Sequence, residues 1–252
     1  MIDLHTHILP GVDDGAPDLE TSVLMAAVAA ESGVTHLVAT PHSNQRGAFE
    51  NYASPALQVR FDCLRAAVRE ADIPLELSLG MEIFGTGDVP KLLREGRLLT
   101  INGGRYLLIE FGFHEDPLRI ERLLDELLAA GYWPVVAHPE RYYGLQRMPN
   151  YLYDWVNRGV VLQVNKGSLF GRFGRGGAGS GQGNAHARAR RLHRQRRAPS
   201  GCAHAGAFER VGQFGRAFFR AALRAAAHAQ SRIDPAQRTA ACRPLPAVFL
   251  KQ

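Results

Sequence analysis

Ile2-Asp3-Leu4-His5-Thr6-His7 is a short apolar run that ends in two imidazoles two residues apart. In an extended strand, residues i and i+2 face the same side, so both rings can converge on one point beyond the strand. The arrangement repeats along the chain. An apolar run at 35–39 is followed by His42, one at 75–81 by Glu82, one at 106–110 ends in Glu110, and one at 133–137 is followed by His138. A sixth run covers 160–164. Between the runs lie segments of helical period at 18–32, 54–71, 89–95, 117–130 and 151–157, with Asp18 opening the first and Gly33 and Gly131 placed to close two of them. Alternation of this kind predicts an α/β fold with a parallel sheet or barrel, in which the C-terminal ends of the strands share one mouth. One His or Glu at such an end is ordinarily a satisfied surface residue. Five successive strands each delivering one predict a metal centre.

The segments that carry these residues are HTHILPGVDDG (5–15), ATPHSNQRG (39–47), LGMEIFG (79–85), YLLIEFGF (106–113) and VVAHPERY (135–142). In order and spacing they resemble the metal-site motifs of the polymerase and histidinol phosphatase (PHP) superfamily, in its bacterial protein-tyrosine phosphatase branch of the CpsB/CapC/YwqE type. The resemblance covers residues 1 to about 174. It implies a distorted seven-stranded (β/α) TIM-like PHP barrel holding up to three metal ions, commonly manganese, with iron or zinc as alternatives that the residue types do not separate. It implies that His5 and His7 bind one metal, that Glu82 bridges it to a second completed by Glu110 and His138, and that Asp14 and His42 hold a third. Arg141 and Arg46 are candidate phosphate clamps, because a guanidinium matches phosphate oxygens bidentately, with a solvated loop residue as the equal alternative for Arg46. The implied activity is hydrolysis of phosphotyrosine in proteins, notably in the tail of a bacterial tyrosine kinase that controls capsule or exopolysaccharide synthesis. Other phosphoesterases of the superfamily, such as a histidinol-phosphate phosphatase, form the alternative. The Asp13-Asp14-Gly15 loop, Glu110 and the AHPERY segment favour the tyrosine branch.

A second phosphatase signature competes. Cys63 and Arg69 match the C-x5-R spacing of cysteine-dependent tyrosine phosphatases, a chemistry that needs free backbone N–H groups wrapped round the phosphate. Residues 57–71 are glycine-free and of helical period, so Cys63 is expected to be structural. The three cysteines are far apart and form neither a disulfide framework nor a zinc knuckle, which fits a reducing compartment. No run of about 20 apolar residues is present, and the first residues lack a basic and then apolar leader, so the expected location is the cytoplasm without membrane insertion.

The net charge of +6 joins two unlike segments: residues 1–174 carry −7 and residues 175–252 carry +13. Residues 174–183 are nearly all Gly, Ala and Ser, and an Ala/Arg/His-rich stretch follows in which 217–229 has helix-forming composition. The Ser-Asp-Ala-His motif that closes the family pattern is absent. Its Asp and His would each ligate one metal. Yet His193-Arg194-Gln195-Arg196-Arg197-Ala198-Pro199 can be encoded so that a one-base forward shift reads Thr-Ala-Ser-Asp-Ala-His. A frameshift near Arg175 accounts for this and for the scarcity of acidic residues beyond it. The expected organisation is a phosphatase domain at 1–174, incomplete at its C-terminal side and impaired by the missing ligands, and a basic, out-of-frame, poorly ordered tail at 175–252. A nucleic-acid role for residues 188–197, or an inactive kinase-binding regulator, ranks behind that reading, and no nucleic-acid partner is expected. The sheet is expected to stop near Val164.

Overall fold

The computed structural model describes residues 1–165 and Ser168, and the backbone of residues 248–251. Strands and helices alternate: β1 (Ile2–Thr6), α1 (Leu19–Glu31), β2 (His36–Ala39), β3 (His42–Ser43), α2 (Pro55–Glu70), β4 (Glu76–Leu79), β5 (Glu82–Phe84), α3 (Val89–Arg94), β6 (Tyr106–Glu110), α4 (Pro117–Ala129), β7 (Trp133–Ala137), α5 (Tyr143–Arg147), α6 (Asn150–Asn157), β8 (Val161–Asn165) and β9 (Val248–Lys251). All pairings between these strands are parallel. Local chemistry sets the boundaries as read from the sequence. Asp18, Ser54 and Asp116 accept hydrogen bonds from the first turns of α1, α2 and α4, while Gly33 and Gly131 take positive φ just beyond α1 and α4.

The strands form two sheets, β1-β2-β4 and β3-β5-β6-β7-β8-β9. Two predicted strands are therefore followed by short second ones. The run at 75–81 holds β4 and the chain breaks at Gly80-Met81 before β5, and the chain after β2 breaks at Thr40-Pro41 before β3. At each break the chain leaves one sheet for the other. His42 and Glu82 thus lie within short second strands, paired directly in register, instead of in loops after the first. If each broken pair is counted once, the described strands occupy seven positions, in keeping with the expected distorted (β/α) architecture.

The expectation that the sheet ends near Val164 is corrected. Val248–Lys251 pairs with β8, with Leu162 opposite Val248 and Asn165 opposite Lys251, and also lies beside β1. Residues 247–250 are Ala-Val-Phe-Leu, a short apolar run of high β propensity, and β8 without it would present an unpaired edge. The Gly/Ala/Arg composition of the region obscured that run. The other expectations for residues 175–247, including the helix-forming stretch at 217–229 and the basic stretch at 188–197, lie outside the described residues.

Side-chain alternation divides the interior. Leu107, Ile109, Val136, Leu162 and Val164 join the large core beneath the helices, whereas Leu108, Val135, Ala137 and Val161 form a smaller apolar cluster on the opposite face. Glu110 continues the face of Leu108, and Gln163 and Asn165 continue that of Val161. The polar ends of these strands therefore stand directly above an apolar plug, which leaves them buried.

Candidate metal centre

Glu82 sits at the middle of the predicted ligands and is 1% exposed. Its Oε2 lies 2.9 Å from His5 Nε2, 3.0 Å from His7 Nε2 and 3.4 Å from His42 Nδ1, and its Oε1 lies 3.0 Å from His138 Nε2. Glu110 Oε1 is 2.9 Å from His42 Nδ1, and Glu110 Oε2 is 3.8 Å from His138 Nε2. Asp14 Oδ1 is 3.7 Å from His42 Nε2, so the two nitrogens of His42 face different carboxylates. All seven predicted ligands meet at this mouth. Three overlapping groups bring donor atoms close enough to share an ion: His5, His7 and Glu82; His7, Asp14 and His42; and His42, Glu82 and Glu110.

The two arginines behave differently. Arg141 lies in the turn after His138 with its guanidinium 4.4 Å from the centre of the Phe113 ring, and Phe113 packs edge-on against His138. Arg46 is spent on Asp88 at 2.6 Å, and its side chain is 73% exposed. No contact joins Arg46 to the imidazole–carboxylate cluster among the described residues.

Several residues at the site were not assigned a role from the sequence. The buried carboxylate of Asp13 accepts from His7 Nδ1 at 2.8 Å, from the His42 backbone N–H at 3.0 Å and from the Gly15 backbone N–H at 3.0 Å. Burial works against its ionisation, but the bonds and charge of His7 outweigh that and lower its pKa. Gly15 is required here, because a Cβ at this position would lie 2.0 Å from the His7 carbonyl oxygen. Phe49 stacks on the His42 ring at 5.3 Å. Tyr142 ties two strand ends together, its hydroxyl donating to Ala137 O at 2.8 Å and accepting from Phe111 N–H at 3.0 Å. His138 itself has φ +34° and precedes a proline, a left-handed conformation in a position that disfavours helical geometry, so its placement carries backbone strain of the kind that collects at functional sites.

The donor set fits a divalent cation. Burial opposes ionisation of Glu82, but its contacts with His5, His138 and His7 outweigh it and hold the carboxyl well below its usual range, and a carboxylate buried this deeply is ordinarily paired with positive charge. Supplying that charge with protons would crowd imidazolium rings whose centres are 5.3 Å apart for His5 and His7, 4.5 Å for His7 and His42, and 5.8 Å for His5 and His138. Like charges at that spacing disfavour one another. His42 Nδ1 and Glu110 Oε1 are buried and 2.9 Å apart, yet their directions make no hydrogen bond. With Glu82, they form one of the groups whose donor atoms lie close enough to share an ion.

Cys63 lies inside α2, where the backbone amides are committed to the helix, so nothing at this cysteine can cradle a phosphate. Cys63→Ser is expected to leave any metal-dependent hydrolysis of a phosphotyrosine peptide within about twofold of the parent, as an exposed substitution away from the cluster should. Loss of turnover in a folded Cys63→Ser protein would reverse this assignment.

The fold and the site together define a parallel α/β protein with a buried imidazole–carboxylate metal centre at the C-terminal ends of its strands. The profile of the family described as "Capsular polysaccharide synthesis, CpsB/CapC" matches residues 1–179, and the chain belongs to that family. It is 41% identical over 175 residues to the tyrosine-protein phosphatase YwqE of Bacillus subtilis (strain 168), a match covering 69% of this chain and 68% of the relative. It is 33% identical over 165 residues to the tyrosine-protein phosphatase CpsB of Streptococcus pneumoniae, covering 66% and 67%. A solved structure from work on YwqE and CpsB, described as "unique metal-dependent tyrosine phosphatases", superposes with a TM-score of 0.65 at 31% identity and covers 100% of both chains.

Proposed function

We propose that this chain is a metal-dependent protein-tyrosine phosphatase of capsule or exopolysaccharide synthesis, acting in the cytoplasm on the phosphotyrosine tail of a bacterial tyrosine kinase. The single observation that carries this reading is the convergence of four imidazoles and Glu82 on one buried point, in a chain 41% identical to a tyrosine-protein phosphatase over its first two thirds. No helix of the described residues is long and apolar enough to cross a membrane. His5, His7 and Glu82 would hold one ion, Glu82, Glu110 and His138 a second, and Asp14 and His42 a third, with manganese the first choice and iron or zinc compatible with the same donors. Such ions, when bound, make hydroxide available near neutrality for in-line attack on phosphorus and neutralise the phosphoryl oxygens.

The protein's own contributions are separate. Glu82 and Glu110 place negative charge between the imidazoles, and the apolar cluster beneath them excludes water from one side. Arg141, steadied on the Phe113 ring, is the candidate clamp for phosphate oxygens, while Arg46 would have to leave Asp88 to serve. A tyrosine leaves as a phenolate of parent pKa about 10, so the site needs no strong general acid to expel it.

We further propose that residues 1–174 form the phosphatase domain and that the reading frame departs from the family's near Arg175, which removes two ligands and lowers activity. Similarity to YwqE covers nearly the same share of both chains and extends over only 175 residues, as an internal break in two chains of like length would produce. The test is hydrolysis of a phosphotyrosine peptide beside histidinol phosphate, after chelation and after manganese is restored. Slow turnover of the peptide that disappears with chelator and returns with manganese is expected. Preference for histidinol phosphate, or turnover indifferent to chelator, would refute the proposal.

A further inference from the structure

We propose that Gln163 is a positioning residue: its side-chain oxygen holds His5 in the Nδ1–H tautomer, so that the Nε2 lone pair faces the metal centre. This rests on the reading of His5 as a metal ligand. Gln163 is 1% exposed, on β8, and its Oε1 lies 2.7 Å from His5 Nδ1. The orientation of its amide is set by a main-chain donor. The backbone N–H of His138, which can only donate, points at the same Oε1 at 3.3 Å, and Gln163 Nε2 then donates to Asn165 Oδ1 at 3.1 Å. Reversing the amide would set its N–H against that of His138, whatever the orientation of the Asn165 amide. The atom facing His5 is therefore an acceptor, and His5 Nδ1 must carry the proton.

That assignment decides what His5 Nε2 does. It lies 2.9 Å from Glu82 Oε2, and a neutral ring with its proton on Nε2 would hydrogen-bond that carboxylate directly. Ligand and bridging carboxylate would then satisfy each other instead of sharing a cation. Gln163 removes this option by offering the proton a better place on the far side of the ring. Asp13 does the same for His7, because an ionised carboxylate accepting from two backbone N–H groups can only accept from Nδ1.

Gln163 is itself held. Glu140, buried in the turn after His138, accepts from the Asn165 backbone N–H at 3.1 Å and from the Ser168 hydroxyl at 2.8 Å, which fixes the end of β8 against that turn. One amide thus links the ring of His5 to the strained backbone of His138, ligands from opposite ends of the matched segment.

The experiment has two arms. Nitrogen-15 spectra of the metal-free protein, about two pH units above the ordinary imidazole range, report the His5 tautomer directly. The Nδ1–H form is expected, whereas free histidine favours Nε2–H. Manganese titration calorimetry then compares the parent with Gln163→Leu, which lacks an acceptor, and Gln163→Glu, which keeps one. Gln163→Leu should lose the Nδ1–H form and bind manganese about 10–100-fold more weakly, and Gln163→Glu should recover most of that affinity. A parent in the Nε2–H form, or a Gln163→Leu protein that keeps Nδ1–H and binds manganese within about twofold of the parent, would overturn the assignment. If Gln163→Leu does not fold, the parent spectrum and the Gln163→Glu titration decide it. A parent with the expected tautomer that takes up no manganese would sink the metal reading and leave the positioning role standing.

Discussion

Glu82→Ala should abolish manganese-dependent turnover and remove the rise in melting temperature that manganese gives the parent. The side chain is the common neighbour of four imidazoles, so its loss takes the bridging oxygen from two of the proposed ion positions at once. Binding of an ion to the native state stabilises it in proportion to the logarithm of its concentration over its dissociation constant, so a lost site shows as a lost shift. The expected fall in turnover is at least about a thousandfold, which corresponds to on the order of 4 kcal/mol of transition-state stabilisation. In the metal-free state the effect on folding should be small by comparison, because the imidazoles that faced the carboxylate can give up their protons. A folded Glu82→Ala protein with turnover within about tenfold of the parent and an unchanged manganese shift would refute the placement of Glu82 as bridge.

The clustered side chains were legible because each is a His, Asp or Glu at or just beyond an apolar run, and strand direction alone collects such positions at one mouth. What the sequence hid was of another kind. Gln163 lies inside an otherwise apolar strand and reads as a tolerated polar residue. The alternation of Val161, Gln163 and Asn165 on one face was the signal available, and it becomes meaningful once Val161 is known to share an apolar cluster with Leu108, Val135 and Ala137. Asp13 stood beside Asp14, and spacing alone does not say which of two adjacent carboxylates faces the ion and which supports the imidazole. The structure separates them by burial, since the Asp13 side chain is fully buried and that of Asp14 is 46% exposed. Arg46 is a clamp candidate on its guanidinium alone, and the partner that holds it, Asp88, is 42 residues away, a surface pairing that no local pattern announces. The breaks at Thr40-Pro41 and Gly80-Met81 escaped notice for a similar reason: each falls within or beside an apolar run, and only the neighbouring strand decides which sheet each half joins.

Restoring the alternative frame downstream of Arg175 should raise thermal stability, manganese affinity and phosphotyrosine hydrolysis together. The segment that now pairs with β8 is Val248-Phe249-Leu250-Lys251, which satisfies backbone hydrogen bonds but contains no His, Asp or Glu. It occupies the edge of the sheet without supplying a ligand. In the other frame the codons of residues 193–199 can read Thr-Ala-Ser-Asp-Ala-His, and the family resemblance would give that Asp to the ion of His5 and His7 and that His to the ion of Asp14 and His42. A supporting partner of a ligand is worth about 10–100-fold in metal affinity, so a whole ligand returned to each of two positions should gain at least that much. The same change replaces a segment of net charge +13, whose cations repel one another, and so should favour the compact state. The measurement is a paired one on the two full-length chains: melting temperature with and without manganese, titration calorimetry, and turnover of a phosphotyrosine peptide. In the restored chain Val248–Lys251 is no longer encoded, so its place beside β8 is open to the new strand, which offers ligands in addition to backbone pairing. A restored chain that melts at the same temperature, binds manganese no more tightly and turns over no faster would show that the frame account is wrong and that Val248–Lys251 is the strand this protein uses.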